Sequence, residues 1–231
     1  MGLTNLGYVD LLFKAIAFLF AISIHESAHA WMANRCGDPT ARMLGRITLN
    51  PIAHIDPVGS LLLPAIGLLF GGAVLGWAKP TPVDPRNFRA PVRDDILTSV
   101  AGPVSNFLVA GGSVLLLEII ASSSQLGRAI VLNTVLNQTA ADSGSILVPA
   151  TMFFYEMMAM NIVLAVFNLI PVPPLDGSHV LRHFLPDGIR DAYDRMGMYA
   201  LIALVIFGGR FISSLIAPVW RFFNQLLLSM L

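Results

Sequence analysis

Residues 25 to 29 read His25-Glu26-Ser27-Ala28-His29. On a helix, side chains four residues apart leave the same face about one turn from each other, so both imidazoles can reach a single cation. Glu26 points too far round to complete the same tetrahedral set, but it can hold water at the metal's open position and take its proton. By chance this pattern arises in roughly one chain in a hundred of this length. Its setting makes chance a poorer explanation. The motif lies inside an apolar segment, where ionisable side chains are costly and mark a site or a paired partner. One divalent cation accounts for all three groups.

A catalytic zinc takes three protein ligands and keeps one position open, so a third ligand must come from elsewhere. The candidates are His54, Asp56, Asp176, His179 and His183. Asp176 is preferred, because it ends the run Asn168-Leu-Ile-Pro171-Val-Pro173-Pro174-Leu-Asp176-Gly177, directly after an apolar helix that three prolines must interrupt. Unwound backbone at membrane depth is tolerated only where it is buried in protein or lines a wet cavity. Asp56-Pro57 reads as turn chemistry. His179 and His183, four apart, would hold a second metal or support the first, and the supporting role is the reading adopted.

The elements that must carry these residues are membrane helices. The chain has 231 residues, 55% of them apolar and only 12% charged, far from the balance of a soluble domain. Runs of roughly 20 apolar residues, enough to cross about 30 Å of hydrocarbon, fall near 9–33, 96–121, 149–169 and 196–218. A further apolar run, 58–76, is interrupted by Pro64, Gly67, Gly71 and Gly72. The first run lacks the basic start and cleavage site of a signal peptide. Zero formal charge excludes a basic field for nucleic acid, and the single Cys36 excludes an internal disulfide or a Cys-rich metal knuckle.

If 58–76 is not a net crossing, then Arg35, Arg42, Arg46, Lys79, Arg86, Arg89, Arg93, Arg182, Arg190 and Arg195 share one side, against Arg128 on the other. The positive-inside rule favours that topology, with the cation-rich loops cytoplasmic. The same topology lets the helix carrying His29 and the helix preceding Asp176 end on one side, which a shared metal requires. The expectation is an all-α polytopic membrane protein forming one embedded domain over residues 1–231. It would have about five to six embedded helical segments and a re-entrant, partly β-strand segment after the first helix. The alternation Arg46-Ile47-Thr48-Leu49 supplies the strand signal.

An HExxH in a membrane helix followed far downstream by Asn-x-x-Pro-x-Pro-x-x-Asp-Gly resembles the site-2 protease family, peptidase family M50. The resemblance extends through Gly45–Pro51, His54–Pro57, Gly76–Pro80 and Ala101-Gly102-Pro103-Val-Ser105-Asn106. It is to the short bacterial and archaeal branch, without PDZ or CBS domains. It implies His25, His29 and Asp176 as ligands of one zinc, Glu26 as general base, and Asn168 near the active centre as an amide donor to the developing oxyanion. The implied reaction is hydrolysis of peptide bonds within or near transmembrane segments of a protein substrate, in a prokaryotic cell membrane with the site toward the cytoplasm.

Asn106 and His179 are read as supporting residues around the centre. Ile47 and Leu49, on the strand-like stretch, are read as contacts to an unwound substrate added edge to edge. A transporter would predict half-helix repeats and further buried charges, and the sequence offers neither. A silent scaffold would dispense with some catalytic residue, and all are present. A protease for soluble peptides would want an extra soluble domain or a wide polar cleft.

Overall fold

The computed structural model describes residues 5–62, 78–136 and 144–231 of the chain. Helix α1 runs Asn5–Cys36 and stops at Gly37, whose φ of 114° only glycine adopts easily. A Cβ there would lie 2.8 Å from Asn87 O, so the stop also admits the incoming segment 78–90. The next residue, Asp38, is fully buried and ties that segment down. Its carboxylate accepts from Thr40 N and Oγ1, from Asp84 N at 2.8 Å and from Asn87 Nδ2 at 2.9 Å. Burial pushes this carboxyl up, and these donors outweigh it, holding Asp38 below the ordinary carboxylate range.

After the single turn α2 (Thr40–Met43), the long helix α3 (Pro91–Ser123) begins with proline in its first turn, where no N–H is needed. Ser124 ends α3 and caps α4 (Gln125–Val135) by accepting from Gly127 N at 2.9 Å. Helix α5 spans Leu147–Asn168, and the prolines at 171, 173 and 174 forbid its continuation. The short α6 (Asp176–Arg182) follows, then α7 (Asp187–Phe207), kinked at Gly197, and α8 (Gly209–Met230).

Four helical segments among the described residues are long and apolar enough to cross a membrane: Leu11–Cys36, Pro91–Ser123, Leu147–Asn168 and Gly209–Met230. The first three match apolar runs read from sequence. The fourth corrects one: 196–218 is not a single helix, because Gly208 divides it between α7 and α8, and the spanning piece lies further on. Large apolar side chains such as Leu108 and Ile119 of α3 face outward, as lipid contact requires.

Apolar lipid offers no hydrophobic drive between helices, so close packing has to hold them together. Fully buried Ala17, Ala21, Ala30 and Ala33 let α1 approach closely. Ala110, Val114, Leu117 and Ala121 make one stripe on α3 and meet Met158, Ile162 and Val166 of α5 and Phe223 and Leu227 of α8. His25 meets Asn106 while His29, one turn on, meets Thr98 earlier in α3, so α1 and α3 are antiparallel.

The expected strand is not found: no β-ladder occurs among the described residues. Side chains fold the stretch 46–54 back on itself instead, with Arg46 Nη1 donating to Ala53 O and the His54 ring bonding Thr48 O at 2.9 Å. Of the interrupted apolar run, Pro57–Leu62 forms a π-helical turn, and residues 63–77 lie outside the described residues, as does any re-entrant path through them.

Candidate metal centre

His25 and His29 are 5% and 7% exposed, on the face of α1 that packs against α3. Their Nε2 atoms are 3.0 Å apart with the rings nearly perpendicular. Each Nδ1 is engaged elsewhere: His25 Nδ1 with Asn106 Oδ1 at 2.6 Å, His29 Nδ1 with Thr98 O at 2.7 Å. Both partners are oxygens that only accept, so each Nδ1 carries a ring hydrogen, and in the neutral rings each Nε2 presents a lone pair. Gly102 makes room for the pair. A Cβ there would sit 2.4 Å from His29 Nε2 and 2.7 Å from His25 Cε1.

Asp176 is the first residue of α6, and its Oδ2 lies 3.1 Å from His25 Nε2 and 3.4 Å from His29 Nε2. Gly177 lets the helix start so close to the end of α5, since a Cβ would come within 2.3 Å of Leu169 O. At its far side α6 is clasped to α3: His183 Nε2 is 2.7 Å from Asp95 Oδ2 and His179 Nδ1 is 3.7 Å from Asp95 Oδ1. Among the described residues, His25, His29 and Asp176 form the one set of ligand atoms that converges. His179 and His183 do not make a second such set.

Glu26 faces the segment 78–84. Its Oε2 accepts from Thr81 N at 2.9 Å and from Thr81 Oγ1 at 2.7 Å. Nothing in the spacing of the motifs signals Thr81, which meets Glu26 from 55 residues further along the chain, beyond the reach of local pattern. Replacing Thr81 by Val removes the hydroxyl and keeps the N–H. We expect kcat to fall roughly ten- to a hundredfold at unchanged metal content, in line with loss of one bond to a charged acceptor. A kcat equal to wild type would mean that the hydroxyl does not orient Glu26.

The remaining sequence candidates fall around this cluster. Asn106 contacts His25 directly, and His179 supports α6 through Asp95. Asn168 closes α5, its amide donating to Leu164 O at 3.0 Å rather than to the ligand set. Asp56 accepts from Val58 N and Gly59 N, which is the turn chemistry its proline neighbour implies. Ile47 and Leu49 are exposed by 37% and 60%.

The donor set fits a metal. Two lone-pair nitrogens and a carboxylate oxygen lie 3.0 to 3.4 Å from one another, and Asp176 Oδ2 is buried without a hydrogen bond. Three acceptors that close require a positive centre between them, and a proton can serve only two. A tetrahedral ion with bonds of 2.0–2.1 Å sets ligand atoms roughly 3.3 Å apart.

Four apolar spanning helices around a buried cluster of two imidazoles and a carboxylate define a polytopic membrane protein with a metal-binding centre. The profile of Peptidase family M50 matches residues 13–208, and the chain belongs to that family. It is 35% identical over 195 residues to YwhC of Bacillus subtilis, covering 84% of this chain and 78% of that protein. It is 29% identical over 184 residues to Rip2 of Mycolicibacterium smegmatis, covering 79% of this chain and 61% of that protein. The names of both relatives class them provisionally as zinc metalloproteases. No solved structure matches the chain significantly.

Proposed function

We propose that the chain is an intramembrane zinc metallopeptidase that hydrolyses peptide bonds within or near transmembrane segments of membrane-protein substrates. The observation that carries the reading is the meeting of His25 Nε2, His29 Nε2 and Asp176 Oδ2 inside a bundle of membrane helices. Zinc held by those atoms would supply Lewis acidity to the scissile carbonyl and bring the pKa of a water molecule to about 7.

The chain's own groups do the rest. Glu26, steadied by Thr81 on one carboxylate oxygen, takes the proton from water and returns it to the leaving amine nitrogen. Asn168, on the last turn of α5 beside the ligand segment, turns its amide from Leu164 O to the developing oxyanion. A helical substrate hides its carbonyls in its own hydrogen bonds and must unwind first. The exposed side chains of Ile47 and Leu49 contact the unwound segment. The clustering of cations on the loops at the site's end supports a cytoplasm-facing centre, and the bacterial relatives support a prokaryotic cell membrane.

Metal removal tests this reading. Detergent-solubilised protein treated with a strong chelator should cease to cleave a single-span reporter substrate, and added zinc should restore cleavage. Cleavage that survives complete chelation would overturn the proposal.

A further inference from the structure

Asn161 lies on α5 with no exposed surface. Its bonds have a fixed direction. Met157 O can only accept, so Asn161 Nδ2 turns to it at 2.7 Å, and Asn161 Oδ1 is left to accept from Asn106 Nδ2 at 2.7 Å. Asn106 Nδ2 also donates to Ala21 O at 3.1 Å, which uses both of its hydrogens and aims Asn106 Oδ1 at His25 Nδ1. That oxygen requires a hydrogen on Nδ1. The opposite tautomer would point an N–H at His29 Nε2 and Asp176 Oδ2, where a lone pair is needed.

We propose that Asn161 is a positioning residue of the metal centre: through Asn106 it fixes His25 in the tautomer and ring orientation that a metal requires. The relay crosses three helices, from Met157 O on α5 through Asn106 on α3 to His25 on α1, and begins at a main-chain carbonyl that cannot flip. It rests on the metallopeptidase reading above. Partners one contact beyond a ligand typically cost tenfold to a hundredfold in metal affinity when removed. Asn161 stands one contact further out, and Ala21 O retains one hold on Asn106, so the lower end of that range applies.

The test is zinc affinity, read by competition with a chromophoric chelator on the full chain in detergent, with far-UV circular dichroism to verify folding. Asn161→Leu, similar in volume, should weaken binding roughly tenfold. Asn106→Ala should weaken it at least as much, and the double variant should be no weaker than Asn106→Ala alone, because the relay then has nothing to act through. Wild-type affinity in Asn161→Leu, or losses that multiply in the double variant, would overturn the proposal. Should Asn161→Leu fail to fold, Asn161→Ser carries the same comparison. A wild-type chain that binds no zinc would contradict the metallopeptidase reading instead. Ring-nitrogen NMR of His25 in metal-free protein then decides the relay. Nδ1 protonated in wild type and mixed tautomers in Asn161→Leu support it; one tautomer in both overturns it.

Discussion

Glu26→Gln is expected to lower kcat by about 10²- to 10⁴-fold, the range that general acid–base groups contribute, while zinc content stays at the wild-type level. The substitution keeps the size of the side chain and an oxygen that can accept from Thr81 Oγ1 and Thr81 N, so the segment 78–84 has no reason to detach. Glu26 is not among the converging ligands, so the metal set is untouched. What disappears is the ability to take a proton from water. Turnover of a single-span substrate alongside metal analysis of the same sample checks both halves. A kcat within tenfold of wild type would remove Glu26 from the proton-transfer role.

Gly102→Ala should act in the opposite sense on metal, weakening zinc binding by at least about a hundredfold and taking activity with it. The added methyl would overlap the metal-facing edge of both imidazoles. Neither ring can swing aside cheaply, because its Nδ1 is held by Asn106 or by Thr98 O. Alanine is the better helix former, so α3 itself should not suffer, and the damage should stay local. Gly111→Ala on the same helix, where a Cβ meets nothing within 4 Å, is the matched control and should bind zinc as wild type does. If Gly102→Ala binds zinc normally, the contact between α1 and α3 at the centre is looser than described.

Much of this centre was legible in the sequence, for identifiable reasons. His25, Glu26 and His29 are local, and helix geometry alone aligns them. Asp176 was legible because three prolines beside an apolar run need a functional excuse, and Asn106 because a familiar motif carried it. Thr81, Asp95 and Asn161 were not. Each acts across a long stretch of intervening chain, on Glu26, on the α6 histidines and on Asn106, and no period or motif encodes such pairings. The strand expected at 46–49 failed because alternation reports only which side chains share a face. Arg46 and His54 bond main-chain oxygens of the same loop and so stabilise a fold that alternation cannot register. The break at Gly208 was written in Gly208-Gly209-Arg210, but a run defined by its share of apolar residues measures length in the membrane and is blind to where a helix stops.

The most direct test of the central claim is metal analysis by mass spectrometry of purified wild-type protein beside Asp176→Ala. The account predicts about one zinc per wild-type chain and loss of most of it in Asp176→Ala, since two imidazoles alone leave the site one ligand short. Zinc retained at wild-type level in Asp176→Ala, or absent from wild type purified without chelator, would contradict the account.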